Sequence, residues 1–231
     1  MPYRRLPNTD EARIRALQKV VNKEYDPAVY GQIISFEVMR DAKVLLERFK
    51  ESQNNYKLTL RIQTAANQKY QKLIKNAKLY ISHFIQVLNL SIIRTEIKEE
   101  HKVLYGLNPS DYSIPEMLSD NTILSWGEKI IQGENERVQQ GGAPIYNPTI
   151  AKVRVHYDLF RDAYFVQKTH QKNTARILEA VADQRKPVDK VISEVWNQVE
   201  DYYKDLSGEE KLNKCRELGV VYYYRKGEEL P

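Results

Sequence analysis

The residues of this sequence that are best placed to do chemistry together lie between Trp126 and Gly142. They share one predicted helix and the pair of glycines after it: Trp126, Glu128, Glu134, Glu136, Arg137, Gly141 and Gly142. Paired carboxylates perform acid–base catalysis when their environments separate their pKa values. A helix surface crossed by ion pairs is the alternative, and the spacing favours it. The segment is therefore a candidate contact region, and no catalytic residue is assigned.

Histidine spacing argues against the metal sites usual in helical bundles. Such sites need Glu-x-x-His, so that both ligands project from one helix face. The residues three before the four histidines are Tyr80, Lys98, Val153 and Gln167. His156 and His170 would lie about 21 Å apart along a helix, too far to share a metal. We expect no metal and no cofactor.

Other common catalytic motifs are absent from the sequence. It contains no Gly-x-Gly-x-x-Gly, no phosphate-binding loop ending in Gly-Lys-Ser and no Gly-x-Ser-x-Gly. The single cysteine, Cys215, lies on an apolar stripe and is expected in the core. An enzyme is possible but is not favoured.

Charge is distributed unevenly along the chain. No Asp or Glu occurs from Ser52 to Thr95, or from Ala163 to Leu178. The candidate basic surface consists of the cations in these two windows: Lys57, Arg61, Lys69, Lys72, Lys75, Lys78, Lys168, Lys172 and Arg176, with Arg94 also in the first window. Such a surface would bind nucleic acid through the phosphate backbone, with Tyr56, Tyr70 and Tyr80 supplying aromatic faces.

An internal role for the same cations is the alternative. Acidic stretches at Glu96–Glu136 and Glu179–Glu210 would lie beside the basic windows and pair with them, fixing helix order. The sequence favours this internal pairing. On one helix Lys69, Lys72, Lys75 and Lys78 step by three and wind around the axis, which suits loose backbone contact better than base readout.

Composition indicates an ordinary globular chain. Of its 231 residues, 42% are hydrophobic and 29% charged, with a net charge of +5. The first residues contain no apolar core of signal-peptide length, and no run approaches ~18 apolar residues. We expect a cytoplasmic protein without a transmembrane segment.

Long helices must position these residues. Between Gly31 and Gly106 the sequence has neither glycine nor proline. Two apolar stripes at helical spacing lie in this stretch: Ile34, Val38, Ala42, Leu45, Phe49, and then Ala66, Tyr70, Leu73, Ala77, Ile81, Phe84, Leu88. One unbroken helix would run for about 110 Å, so we expect a turn between Asn54 and Asn67 and two antiparallel helices. Residues 56–63 alternate as a strand would, but helix is preferred.

Start and stop signals outline the first half of the chain. Asn8 with Glu11 predicts a capping box, and Asp26-Pro27 a second helix start. The third helix is expected to end near Gly106, before a loop from Leu107 to Asp120. A fourth helix then begins after Asp120 or Asn121 and stops at Gly141-Gly142. Its interior glycines, Gly127 and Gly133, indicate close helix approach or, alternatively, a ligand contact.

The second half is predicted in the same way. Asn147-Pro148 starts a fifth helix whose seam runs through Ile150, Val153, Tyr157, Phe160, Tyr164, the polar Gln167, Gln171 and Thr174, and then Leu178 and Val181. Pro187 kinks or restarts it. Ser207 with Glu210 predicts a capping box for a last short helix ending at Gly219. Val220–Arg225 is expected to be extended and to pair with Ala143–Asn147.

Several segments resemble a known family. MPYRRLPNTD, YISHFIQVLNL, WGEKIIQGENER, GGAPIYNP and GVVYYYR are similar to stretches of an uncharacterised, mainly helical bacterial family of the kind met in Bacteroidota. The resemblance implies a helical protein and brings no activity, cofactor or catalytic residue.

We therefore predict an all-α protein: an elongated up-and-down bundle of about four long helices, with a short N-terminal helix and a short C-terminal helix plus extended segment. Residues 1–231 are expected to form one domain, with a possible sub-division near 107–120. The favoured function is a non-enzymatic scaffold or protein-interaction module that binds a protein partner or self-associates. A nucleic-acid-associated protein is the alternative, and a helical protein that inserts in membranes is a weaker one.

Overall fold

The computed structural model describes residues 3–21 and 33–224. In chain order the elements are β1 (Tyr3–Arg4), α1 (Asp10–Val21), α2 (Phe36–Ile93), a 3₁₀ helix (Glu99–Tyr105), α3 (Asp120–Gln139), α4 (Ile150–Tyr202), α5 (Gly208–Glu217) and β2 (Tyr222–Tyr223). The predicted all-α class is confirmed. Within the described ranges, no helix combines the length and the apolar character needed to cross a bilayer. The start predicted at Asp26-Pro27 lies outside the described residues.

Helix α2 is continuous, so the turn expected between Asn54 and Asn67 is wrong. No helix-breaking residue occurs there, and the Thr59 hydroxyl donates a hydrogen bond to the Asn55 carbonyl one turn earlier. The alternation of apolar and polar residues at 56–63 does not mark the buried face of a strand. Leu58, Leu60 and Ile62 are exposed, although they are apolar.

The chain forms two compact units. The first unit is Met1–Leu60 with Asn173–Pro231, and the second unit is Arg61–Lys172. Both boundaries fall inside long helices, and residues 107–120 lie within the second unit. The single-domain assignment stays a prediction.

In the first unit, α1 and the start of α2 pack with the end of α4 and with α5. Its core includes Leu17, Phe49, Trp196 and Cys215, all almost completely buried. Burial raises the pKa of the Cys215 thiol. A lone buried thiol of this kind is a core residue, as the apolar stripe predicts.

A cluster of charges fastens α1 to α4. Arg185 donates two hydrogen bonds to Asp10, of 2.8 and 2.9 Å, and Arg13 donates two to Asp189 at the same distances. Gln53 of α2 also donates to Asp10, to Oδ2 at 2.6 Å. Burial raises the pKa of Asp10, but the hydrogen bonds and charges of these partners outweigh it and lower that pKa. The cluster fixes the register of α1 against its neighbours.

In the second unit, α2 runs antiparallel to α4. Tyr80 stacks on His156 with ring centroids 3.9 Å apart, and Tyr70 stacks on Phe160 at 6.0 Å. The predicted stripe from Tyr70 to Leu88 is buried there, with Ala77, Ile81 and Phe84 fully covered. Because this stripe is buried in the core, it determines which residues of α2 face solvent in the second unit.

The α-helix ends at Ile93, thirteen residues before the predicted Gly106. The Thr95 amide donates to the Ile92 carbonyl and the Glu96 amide to the Ser91 carbonyl, with Thr95 at φ 62°. These are the bonds of a Schellman motif, whose left-handed position is normally occupied by glycine. Gly106, at φ 66°, instead ends the 3₁₀ helix.

The loop after the 3₁₀ helix is held by a buried lysine. Lys102 donates to the carbonyls of Pro109 and Asp111 at 3.0 and 2.8 Å, and its ammonium lies 3.6 Å from the centre of the Tyr112 ring. Burial lowers the pKa of Lys102. The loop predicted from Leu107 is confirmed and leads to α3, which Ser119 caps by accepting from the Thr122 amide.

Two predicted capping boxes do not form. Helix α1 begins at Asp10, so Thr9 rather than Asn8 caps it and accepts from the Ala12 amide at 3.2 Å. Helix α5 begins after Ser207, but the Ser207 side chain accepts no capping hydrogen bond. Its predicted end is confirmed, because Gly219 takes φ 92° there.

Helix α4 begins at Ile150, and Thr149 caps it by accepting from the Lys152 amide. The start predicted at Asn147-Pro148 is therefore early. Pro187 lies inside the continuous helix and does not restart it. Of the polar seam residues, Gln167 and Thr174 are buried as predicted, whereas Gln171 is exposed; the apolar Leu178 of that seam is exposed too.

The extended C-terminal segment pairs with a different partner from the one predicted. Tyr222 and Tyr223 form an antiparallel ladder with Arg4 and Tyr3. The predicted partner, Ala143–Asn147, already uses its backbone in the second unit, where the Ala143 carbonyl and the Ile145 amide bond to side chains of α3.

Both interior glycines of α3 allow close packing, as the first alternative predicts. A Cβ added at Gly127 would overlap the Tyr157 ring, and one at Gly133 would lie 2.7 Å from both the Leu104 carbonyl oxygen and the Tyr105 ring. Glycine is needed at both positions for steric reasons.

We expect Gly127→Ala and Gly133→Ala each to lower the free energy of unfolding by up to about 2 kcal/mol. Overpacking costs about 1–3 kcal/mol, and the helix propensity of alanine offsets about 1 kcal/mol of this. Urea unfolding followed by circular dichroism measures the change. Gly208→Ala is the matched control, because nothing lies within 4 Å of the added Cβ. Equal stability of all three variants would contradict the close contacts.

Candidate functional site

The candidate contact region contains a buried ion pair in the second unit. Glu134 and Arg137 lie one turn apart on α3, with side chains 0% and 2% exposed. Arg137 donates from Nε to Oε2 at 3.0 Å and from Nη2 to Oε1 at 2.9 Å. This two-bond geometry is the strongest form of arginine–carboxylate contact.

Glu134 and Arg137 also form hydrogen bonds with residues outside α3. Tyr105 of the 3₁₀ helix donates to Glu134 at 2.5 Å and accepts from Arg137 Nε at 2.9 Å. The Ile145 amide donates to Glu134 at 3.0 Å, and Arg137 donates to the Ala143 carbonyl at 2.8 Å. The network therefore joins α3, the 3₁₀ helix and residues 143–145.

The chemistry of this network is structural. Burial and the adjacent Glu134 raise the pKa of Tyr105, so its hydroxyl stays protonated. Burial lowers the pKa of Arg137, but the hydrogen bonds that it donates to Glu134 and Tyr105, and the negative charge of Glu134, outweigh this and raise the pKa. Each oxygen of Glu134 accepts two hydrogen bonds, which leaves it poorly suited to take a proton from a substrate.

The remaining residues of the contact region lie apart from the ion pair. Glu128 is exposed, and Trp126 is half-buried under the Lys129 ammonium at 4.7 Å. Glu136 is half-buried, and Gly141 faces open space at φ 91°. Only Gly142 packs against Arg137. The paired carboxylates of an acid–base site are thus not brought together.

A cavity of about 490 Å³ adjoins the network. Arg137, Gly142 and residues 143–146 line one side, and Glu96, Lys98 and His101 line another. The Nδ1 atom of His101 is buried and has no hydrogen-bond partner among the described residues. The described residues therefore provide no hydrogen bond that would orient the imidazole through Nδ1.

Histidines in the described part of the chain do not gather into a metal site. No group of three or more metal-ligating side chains occurs there. His83 is exposed, and His156 is stacked on Tyr80.

The candidate basic surface is exposed at nearly every position. Lys57, Arg61, Lys69, Lys72, Lys75, Lys168, Lys172 and Arg176 are exposed, and Lys78 is half-buried. Lys57 and Arg176 belong to the first unit and the other seven to the second. Within residues 3–21 and 33–224, Lys57 alone of the nine forms an ion pair, with Glu11 at 3.1 Å.

Three exposed or half-buried acidic residues of the second unit pair with cations outside the candidate basic surface. Asp158 and Asp162 contact Arg161 at 3.0 and 3.5 Å, and Glu96 contacts Arg94 at 3.9 Å. The internal pairing that the sequence favours is therefore not formed by the seven cations of this unit with any described acid. The five of them on α2 have no acid within two turns of their helix, and the nearest acids to Lys168 and Lys172 on α4, Asp162 and Glu179, lie six and seven residues away.

Three of these cations lie on one face of α2. At ~100° per residue, Arg61, Lys72 and Lys75 fall within an arc of about 60°. That arc lies opposite the buried stripe of Tyr70, Ala77 and Ile81. We call Arg61, Lys72 and Lys75 the basic row, and it extends for about 21 Å along the helix.

The tyrosines expected to stack on bases do not serve that purpose. Tyr70 is buried against Phe160, Tyr80 is stacked on His156, and Tyr56 packs on the core of the first unit. The surface can therefore offer charge, but not these rings, to a nucleic acid.

Comparisons with protein-family models, with curated proteins and with solved structures found no match to this chain.

Removing one member of the buried ion pair should strongly destabilise the fold. We expect Glu134→Leu to lower the free energy of unfolding by about 3–5 kcal/mol, because Arg137 is left as an uncompensated buried charge. The double variant Glu134→Leu with Arg137→Leu should lose less than the sum of the two single variants. Chemical denaturation measures all three.

Glu128→Leu, at an exposed position on the same helix, is the control and should change stability by less than about 0.5 kcal/mol. Additive losses in the double variant, or a Glu134→Leu variant as stable as the control, would contradict the network.

Proposed function

We propose that the protein is a helical binding module whose second unit contacts the phosphate backbone of nucleic acid through the basic row. One observation carries this proposal: Arg61, Lys72 and Lys75 are exposed on one face of α2 and have no acidic partner among the described residues. Cations left unpaired on a rigid face attract a linear polyanion.

The dimensions of the row support a polymeric ligand. Its length of about 21 Å matches roughly six phosphates of one strand, at about 3.4 Å per phosphate along the helix axis. Lys168 and Lys172, one turn apart on α4, add two exposed cations to the same unit. Tyr56, Tyr70 and Tyr80 are packed against other protein groups, which favours contact with phosphates over stacking of these rings on bases.

An acidic membrane is a less suitable partner for this face. A helix that lies in a membrane interface buries its own apolar side in lipid. The apolar stripe of α2 in the second unit is already covered by the protein core. Thr64, Gln68 and Gln71 lie around the basic row, and exposed Ile62 and Leu79 flank it.

Lys72→Gln with Lys75→Gln tests the proposal. We expect the parent protein to bind duplex and single-stranded oligonucleotides with dissociation constants of about 10⁻⁴–10⁻⁶ M at physiological salt. Removing two phosphate contacts should reduce the slope of log affinity against log salt by about 1.8 for duplex and about 1.4 for single strands. Fluorescence anisotropy across a salt series measures the slope.

Lys186→Gln with Lys190→Gln is the matched control. Both lysines are exposed on α4 in the first unit, and the change in net charge is the same. The control should keep the parent slope. No binding at ~50 mM salt, or equal slopes in both variants, would contradict the proposal. Binding to anionic vesicles in place of oligonucleotides would show a membrane surface as the partner.

A further inference from the structure

A second basic feature lies in the first unit, away from the basic row in sequence and unrelated to the proposed function. A cleft of about 390 Å³ opens between the N-terminal segment, one side of α1 and the turn from α5 into β2. Its lining includes Arg5, Arg15 and Lys19, and none of the described residues that line it is a carboxylate.

The three cations have no acidic partner among the described residues. Arg5, Arg15 and Lys19 are all exposed. The acids of α1 are occupied elsewhere, since Asp10 binds Arg13 and Arg185 while Glu11 binds Lys57. The cleft therefore has three positive charges that nothing in the described structure neutralises.

Helix α1 builds one wall of the cleft with alternating small and basic residues. Ala12, Arg15, Ala16 and Lys19 follow the i, i+3, i+4, i+7 spacing of a single helix face. The two alanines leave space between the two long cationic side chains. A compact anion that enters this space is within reach of both charges.

The opposite wall holds the third cation in place. The Arg5 amide donates to the Val221 carbonyl at 3.1 Å, and the Arg5 guanidinium lies 5.5 Å from the centre of the Tyr223 ring. The turn before β2 approaches α1 closely at Gly219, where an added Cβ would lie 3.3 Å from the Ala16 carbonyl oxygen. The walls are thus fixed by backbone contacts rather than by the cations themselves.

We propose that this cleft binds a small polyvalent anion, a phosphate or carboxylate compound with two or three negative charges. Its charged groups would contact Arg5, Arg15 and Lys19, and its body would rest on the apolar surface of Leu6 and Tyr223. The volume lies within the range of small-molecule sites, about 300–1,000 Å³. Arginine forks and a lysine ammonium are the usual partners of both anion types.

Titration calorimetry of the full chain with pyrophosphate and, separately, with citrate tests this inference. We expect at least one of them to bind with a dissociation constant below 1 mM. The stronger of the two identifies phosphate or carboxylate as the preferred group. Arg15→Gln with Lys19→Gln should weaken binding at least tenfold, whereas Arg15→Lys with Lys19→Arg should retain most of it.

The Lys186→Gln with Lys190→Gln variant is the control for net charge and should bind as the parent does. Arg5→Gln removes a cation from the other wall, so it provides an independent test if the α1 variant unfolds. Binding by neither anion, or equal loss in the control, would overturn the inference. The Lys72→Gln with Lys75→Gln variant should keep anion binding, so failure here is distinguishable from failure of the proposed function.

Discussion

The apolar stripe that α2 buries in the second unit fixes the direction of every other side chain on that part of the helix. Tyr70 and Ile81 are held against α4 and the core, so the residues half a turn away must face solvent. Those residues include Lys72 and Lys75. Because the chain has no acid from Ser52 to Thr95, their charge is not neutralised along the helix. The proposed binding surface is thus a direct consequence of core packing.

The buried Glu134–Arg137 pair meets a different need. Residues 143–145 have no regular structure, and their amide and carbonyl groups must find partners where they are buried. Glu134 accepts from the Ile145 amide and Arg137 donates to the Ala143 carbonyl, while Tyr105 closes the network. Glu134 and Arg137 of the candidate contact region are therefore used to hold a loop. Replacing the pair by apolar residues would leave these backbone groups unsatisfied, which accounts for a charged core at this point.

Helical periodicity predicts the all-α class and the buried stripes, because these depend on residues close in sequence. Predictions from local sequence fail where long-range contacts or an unusual backbone conformation determine the structure. Thr95 ends α2 in a conformation normally taken by glycine, so a search for glycine places the end too late. Tyr105 and Lys102 are buried polar groups whose partners lie beyond their own helix, and no local spacing reveals them. Likewise, the sequence shows the two windows without Asp or Glu, but it does not show which acidic residues lie next to them in the fold.

Quantitative labelling of lysine amines, read by mass spectrometry with and without a single-stranded oligonucleotide, tests the central claim most directly. Without nucleic acid, Lys72 and Lys75 should react about as fast as exposed Lys186 and Lys190, while buried Lys102 should react far more slowly. Adding the oligonucleotide at low salt should protect Lys72 and Lys75 and leave Lys186 and Lys190 unchanged. Slow reaction of Lys72 and Lys75 in the free protein, or equal protection of all four exposed lysines, would contradict the account.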